Sequence, residues 1–463
     1  MPSYSSLPKW AQELIPILVL LGVIAFVLRR LPKVEVGHTK GFLRRRLWNW
    51  LPAGLTYAFL YMGRYNLTAF KNAAHLTNDA YGTIDFWGAI VYGFAFVING
   101  PLADKIGGRK TLLIAAVGSA AMNVVLGVLA LKPFEPSSVA SFSIAYAANM
   151  YFQSFGAVSI VKVNAAWFHI RERGTFGGIF GILISLGVYF AYDWGPKIAD
   201  AFPGQPQWVF FIPPIALLVL AAVDFALVRD TPGEAGQRDF DPGDATVEGE
   251  KLSVLQVARR MLTSKVILII AVIEFCSGYL RNAVMKWGPV FAKETGVKKD
   301  QFVHANWGMM NCIAGILGGM FAGVISDHVF GSRRGPVSSI LYLGMLGGAV
   351  GMCYTLTNGG LGWALIFASL CVIGVHGMLS GTASMDFGGK KNVGVAVGII
   401  DGFVYLGTAV QALVLKELVP SGDAQKDPTN WWKWPIAMVP LMFVGLLLAL
   451  RLWDARATRG GAH

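Results

Sequence analysis

Leu55-Thr56-Tyr57-Ala58-Phe59-Leu60-Tyr61-Met62-Gly63-Arg64-Tyr65-Asn66 is an apolar run that carries an arginine near its far end. It is echoed by Glu274-Phe275-Cys276-Ser277-Gly278-Tyr279-Leu280-Arg281-Asn282, where Arg281 lies about equally deep in another such run. A charged side chain in a hydrocarbon layer costs roughly 2.5–3.5 kcal/mol on insertion scales, so two arginines in corresponding places point to a site for an anion. Apolar runs of about 20 residues recur along the whole chain, and that is the length of helix that crosses a bilayer. Of the 463 residues 54% are apolar and only 14% charged, which reads as an all-α integral membrane protein. The 55 glycines suit helices that pack closely without a hydrophobic force between them.

The formal charge of +12 does not imply nucleic acid, because the lysines and arginines sit in short loops between the runs and read as topological charge. Cys276, Cys312, Cys353 and Cys371 all lie in apolar runs without paired spacing or a nearby histidine, and are expected to be free, buried thiols. Near the N-terminus, Leu14 to Leu28 is apolar and followed by Arg29-Arg30. A signal peptide has its positive charges first, so this segment reads as a short extra transmembrane helix with its N-terminus outside; an interfacial anchor is the alternative.

Twelve long runs follow the basic stretch 29–46, at about 48–69, 84–102, 111–131, 139–168, 174–193, 208–228, 266–291, 303–325, 337–356, 361–385, 393–415 and 434–453. With 29–46 in the cytoplasm, every second loop is also cytoplasmic, and those loops hold Lys105, Arg109 and Lys110, Arg171 and Arg173, Arg333 and Arg334, and Lys390 and Lys391. Lys293, Lys298 and Lys299 on the outer side depart from the rule, partly offset by Glu294 and Asp300. The division is 1–47 (extra helix and basic loop), 48–228 (first six-helix bundle), 229–265 (linker), 266–453 (second bundle) and 454–463 (cytoplasmic tail). Within the linker, Ser253 to Leu262 reads as a short amphipathic helix capped by Ser253. Two six-helix halves joined by a cytoplasmic linker is a parallel-repeat transporter plan, with the substrate midway through the layer between the halves.

Gly100-Pro-Leu-Ala-Asp104-Lys105-Ile-Gly-Gly108-Arg109-Lys110, with its counterpart Gly323-Val-Ile-Ser-Asp327-His328-Val-Phe-Gly-Ser-Arg333-Arg334-Gly335, resembles the loop signature of the major facilitator superfamily. That resemblance implies conformational roles for Asp104, Arg109, Asp327 and Arg334, with Asp and Arg pairing across the cytoplasmic face. More narrowly, the chain is similar to the organophosphate:phosphate antiporters. Tyr57, Tyr61, Arg64 and Asn66 carry that likeness, as do Glu172-Arg173-Gly174, Tyr279-Leu280-Arg281, Trp287-Gly288-Pro289, Lys390-Lys391, Gly398 and Tyr405-Leu406-Gly407. It implies exchange of an organic phosphate for inorganic phosphate, with Arg64 and Arg281 jointly gripping the phosphoryl group and Tyr57, Tyr61 and Tyr405 near it. Phe96 and Ile184 stand where glycerol-phosphate members carry a lysine and a histidine, and Lys286 replaces an acid often found after the seventh-helix arginine.

Arginine suits the task because its planar guanidinium stays charged and presents paired donors to phosphate oxygens. Tyr61 and Tyr57 lie one and two turns before Arg64 on one face, and Asn66, Lys162 and Asn164 are further candidates for lining the pathway. Glu274, two turns before Arg281, reads as its counter-ion or a proton carrier, and Asp401 as a second acid of that kind. Asp193 and Asp224 read as solvated helix-end residues, Lys286 as snorkelling to the interface, and His376 as a helix-contact histidine. No phosphate-cradling loop, metal-ligand cluster or paired nucleophile and base is present, so neither enzyme chemistry nor a cofactor is expected. The expected partners are a phosphorylated small molecule, inorganic phosphate and the lipid bilayer, with the chain a monomer in the cell membrane. Two rival readings remain: proton-coupled symport of an organic anion through Glu274 or Asp401, and a transporter-like sugar-phosphate sensor.

Overall fold

The computed structural model describes residues 7–30, 37–169, 172–241, 256, 259, 262–297, 301–330 and 333–454. An added helix α1 (Lys9–Arg30) precedes two bundles. The first comprises α2 (Lys40–Ala74), α3 (Asn78–Ile106), α4 (Gly108–Leu129), α5 (Val139–Ala165), α6 (Arg173–Tyr189) and α7 (Trp208–Leu227). The second comprises α8 (Lys265–Glu294), α9 (Trp307–Val329), α10 (Arg334–Thr355), α11 (Leu361–Leu418) and α12 (Lys433–Arg451). Helix α11 is unbroken by secondary structure, and its apolar stretches 361–379 and 398–418 supply two spans, completing six. The loop expected around Lys390 and Lys391 is thus helical, and those two side chains lie outside the description.

Among the described residues, ten helical segments are long and apolar enough to cross a membrane. Helices α2 and α5 are not among them, because they carry much of the buried polar inventory, including Arg64, Lys71, Asn149 and Gln153. Helix α6 is 17 residues long and continues through a π turn at Phe190–Trp194. Helix α1 is longer than expected, 22 residues, so it reaches about 33 Å and can span with little strain on the layer. It rests on α9.

Helix starts follow local chemistry where capping residues are present. Thr39 Oγ1 accepts from Phe42 N at 3.2 Å to open α2, and Thr77 Oγ1 accepts from Ala80 N at 3.2 Å to open α3. Between α3 and α4 the chain turns at Gly107, whose φ of 97° favours glycine.

The halves meet where α3 lies on the second span of α11 and where α6 lies on α9. The polar links that join them gather at the end away from the linker. Lys286 Nζ reaches Asp85 at 2.6 and 2.8 Å, Lys71 reaches Glu294 at 3.5 Å, Lys416 reaches Asp79 at 2.7 Å, and Lys293 reaches the Asn72 carbonyl. Asp193 of the first half caps α9 of the second, accepting from Gly308 N at 2.7 Å and Met309 N at 2.8 Å.

Several placements differ from the sequence reading. Lys286 does not snorkel: it is buried, because an acid from the other half is within reach. Asp193 is a cap rather than a solvated end, and Asp224 is fully buried, accepting from Thr56 Oγ1 at 2.5 Å. Cys353 is exposed, unlike the three buried cysteines. Asp104 pairs with Lys162 at 2.8 Å and not with Arg109. Arg109 gives its backbone N–H to Asp230 at 2.7 Å and its guanidinium to the Phe225 carbonyl. Arg334 donates to the Met378 carbonyl at 3.1 Å, while the side chains of Asp327 and Arg173 lie outside the described residues. So do Ser253 and most of the helix expected there, together with Arg171, Lys298, Lys299 and Asp300.

Candidate functional site

Helix α2 delivers Arg64 to the centre of the bundle, 1% exposed. Its Nη1 donates to Tyr405 Oη at 2.8 Å, across the seam between halves, and its Nη2 donates to Gln153 Oε1 at 3.2 Å. The guanidinium carbon lies 4.5 Å from the Tyr61 ring centre, 4.7 Å from Tyr92 and 5.8 Å from Tyr405, so three aromatic faces share the charge. Tyr57 stands edge-on to Tyr61 at 5.5 Å. Arg64 Nε has no partner among the described residues.

A polar scaffold fixes this arginine from behind. Gln153 Nε2 donates to the Leu60 carbonyl at 2.9 Å and to Ser119 Oγ at 2.7 Å, and Tyr146 Oη donates to the Arg64 carbonyl at 2.7 Å. Asn66 belongs to this scaffold and not to the Arg64 guanidinium, since its Nδ2 donates to Asn123 Oδ1 at 2.6 Å.

Arg281 faces the same centre from α8, buried at 6% exposure. Its Nε and Nη2 are buried and have no partner among the described residues. Close helix packing brings it there: a Cβ on Gly278 would collide with the Val404 carbonyl, and one on Gly407 with the Phe275 carbonyl. The two glycines therefore let α8 and the second span of α11 touch backbone to backbone, which sets Arg281 beside Tyr405. Phe96 stacks on Tyr405 with centroids 5.6 Å apart and planes 10° apart, and Tyr92 lies 4.0 Å from that ring.

Glu274 does not bond Arg281. Its Oε2 meets His376 Nδ1 at 2.8 Å, so His376 is more than a passive helix contact. Asp401 on α11 is 9% exposed. Lys162 lies with Asp104 toward the linker end, away from the arginines. Tyr279 turns its hydroxyl to the Ala437 carbonyl at 3.3 Å. Sequence reasoning passed over Tyr92 and Gln153; Tyr92 had a signal, standing one turn from Phe96, a position already singled out.

A family model described as Major Facilitator Superfamily matches residues 53–412. The chain belongs to the major facilitator superfamily. It is a member of a transport family and not an enzyme. A glycerol-3-phosphate transporter of Bacillus subtilis is 27% identical over 79% of this chain and 82% of its own length. A probable hexose phosphate transport protein of Chlamydia pneumoniae is 25% identical over 79% and 80%. The membrane sensor protein UhpC of Salmonella typhimurium is 25% identical over 88% and 91%. These relatives match the narrower likeness, to the organophosphate:phosphate antiporters. Among solved structures, a bacterial homologue of the human lysosomal transporter Spinster superposes with a TM-score of 0.64 at 12% identity. It covers 90% of this chain and 97% of that one, which supports the fold.

Proposed function

We propose that this major facilitator exchanges a phosphorylated small metabolite for inorganic phosphate, gripping the phosphoryl group with Arg64 and Arg281, one from each half. The observation that carries the proposal is Arg281: a buried guanidinium that keeps Nε and Nη2 unpartnered among the described residues. Leaving charged donors unsatisfied in a dry centre is costly, and a phosphate dianion relieves that cost with paired, charge-assisted hydrogen bonds. The names of the relatives, glycerol-3-phosphate and hexose phosphate transporters, agree with that chemistry.

Alternating access follows from where the halves are linked. The ion pairs at the far end hold the assembly closed there, and rocking the halves must break them while the centre passes to the other side. Two uncompensated cations oppose that passage when the site is empty, so a dianion is needed for each swing, and one phosphate compound enters as another leaves. In this reading the linker and C-terminus are cytoplasmic, the N-terminus is outside, the working unit is a monomer in the plasma membrane, and no cofactor takes part.

The test is [32P]phosphate uptake into liposomes preloaded with phosphate. Native protein is expected to exchange, and Arg64→Lys and Arg281→Lys each to lose exchange; rapid net efflux without counter-substrate would overturn the obligatory step. A second reading, a sugar-phosphate sensor, has one observation in its favour. The likeness to UhpC extends over 88% of the chain, against 79% for the transporter relatives. Binding of phosphate compounds without exchange would select it.

A further inference from the structure

Helix α1 belongs to one half by packing and to the other by chain. Pro16, Leu20, Val23, Ile24 and Val27 recur at helical spacing along one face; Pro16, Leu20 and Val27 are buried, and Val23 and Ile24 pack against the core. Through that face α1 rests on α9 of the second half, while Leu14, Leu18 and Leu21 on the other side are exposed. Eight residues after Arg30, at His38, the chain is fixed to the first half. His38 Nε2 meets Glu172 Oε2 at 3.3 Å, its ring stacks on Phe42 with centroids 4.4 Å apart, and Phe240 stands edge-on to it at 4.8 Å. Arg46 Nη1 holds the same carboxylate at 2.9 and 3.0 Å.

We infer that α1, seated on α9, and the anchor at His38 form a strap that limits how far the two halves part at the linker end. The inference rests on the alternating-access reading above. Ion pairs between the halves gather at the far end, so the linker end is the one free to widen. Widening carries α9, and α1 with it, away from His38. The chain between Arg30 and His38, residues 31–37, reaches at most about 28 Å when fully extended. The linker also crosses between the halves, but its start is held by the first half. Asn49 exchanges hydrogen bonds with Arg229, Trp167 Nε1 donates to the Arg229 carbonyl at 3.0 Å, and Phe240 stands edge-on to Phe42 at 5.5 Å. Residues 242–264 then remain before α8 begins, a reach of about 80 Å. The shorter crossing is drawn tight first.

The experiment measures distances between spin labels on the full chain in liposomes, with and without inorganic phosphate. Labels enter in pairs as Leu28→Cys on α1, Val329→Cys at the linker end of α9 and Leu43→Cys on the first turn of α2, all exposed positions, with the exposed Cys353 changed to serine. The Leu28–Val329 distance is expected to stay fixed when phosphate is added, while Leu28–Leu43 and Val329–Leu43 change together. Inserting eight Gly/Ser residues between Gly37 and His38 adds about 15 Å of flexible reach, and is expected to move the long edge of the Val329–Leu43 distribution outward by about 5 Å or more. His38→Ala, which loosens the anchor, is expected to move that edge the same way by less, and carries the test should the insertion fail to fold. An unmoved edge in the folded variants overturns the strap and leaves phosphate exchange standing. So does an α1 that keeps its distance to Leu43 and changes its distance to Val329. Three distances that all ignore phosphate overturn the alternating-access reading and the strap together.

Discussion

Arg281 and Lys286 stand five residues apart on α8, both buried, and the fold accommodates them in opposite ways. Lys286 meets the Asp85 carboxylate of the other half with two short contacts, whereas Arg281 enters no ion pair among the described residues and leaves Nε and Nη2 open. A buried cation given a counter-ion by the protein is complete, and here it fastens the halves together. One denied a counter-ion keeps its desolvation cost until an anion arrives. The contrast separates a latch from a site, and each can be broken separately.

The largest effect belongs to the latch. Lys286→Met strands Asp85 in a dry interface and is expected to lower stability by about 3–5 kcal/mol, while adding Asp85→Asn recovers most of that loss. Denaturant unfolding of the single and double variants checks it, and a single variant as stable as native protein would mean that the pair is hydrated. Arg281→Lys comes next. It exchanges a planar fork for a point charge and is expected to cut phosphate exchange at least about 100-fold, with little change in melting, because it breaks no ion pair. Gln153→Leu removes the acceptor that orients Arg64 and is expected to weaken phosphate binding by about 10-fold, measured as the half-saturating phosphate concentration.

How far the sequence foretold this differs between the two places. Arg64 and Arg281 stand out in a single sequence because an arginine in an apolar run is expensive wherever it points. The Lys286 pairing does not, because snorkelling is judged from one helix end while the partner acid lies 201 residues away in sequence. Asp193 and Asp224 elude a single-sequence reading for the same reason: each sits near a helix end, and each accepts hydrogen bonds from a distant helix, Asp193 from α9 and Asp224 from Thr56 of α2. Gln153 and Tyr92 are uncharged, so nothing in their cost distinguishes packing from site. The helical class and the six-and-six plan were legible because hydropathy reports span by span, without knowledge of partners.

Lys162 gives the smallest and sharpest test of that distinction. From its place in the fourth run it was a pathway residue, yet its ammonium rests on Asp104 with side-chain exposures of 24% and 13%, toward the linker end. A partly solvated pair of this kind is worth about 0–1 kcal/mol, so Lys162→Met is expected to move stability by no more than that. The half-saturating phosphate concentration should shift by less than about twofold, since no charge near the arginines is altered. A tenfold rise in that concentration would return Lys162 to the pathway, and would mean that the Asp104 pair opens during the cycle and releases its ammonium to the substrate.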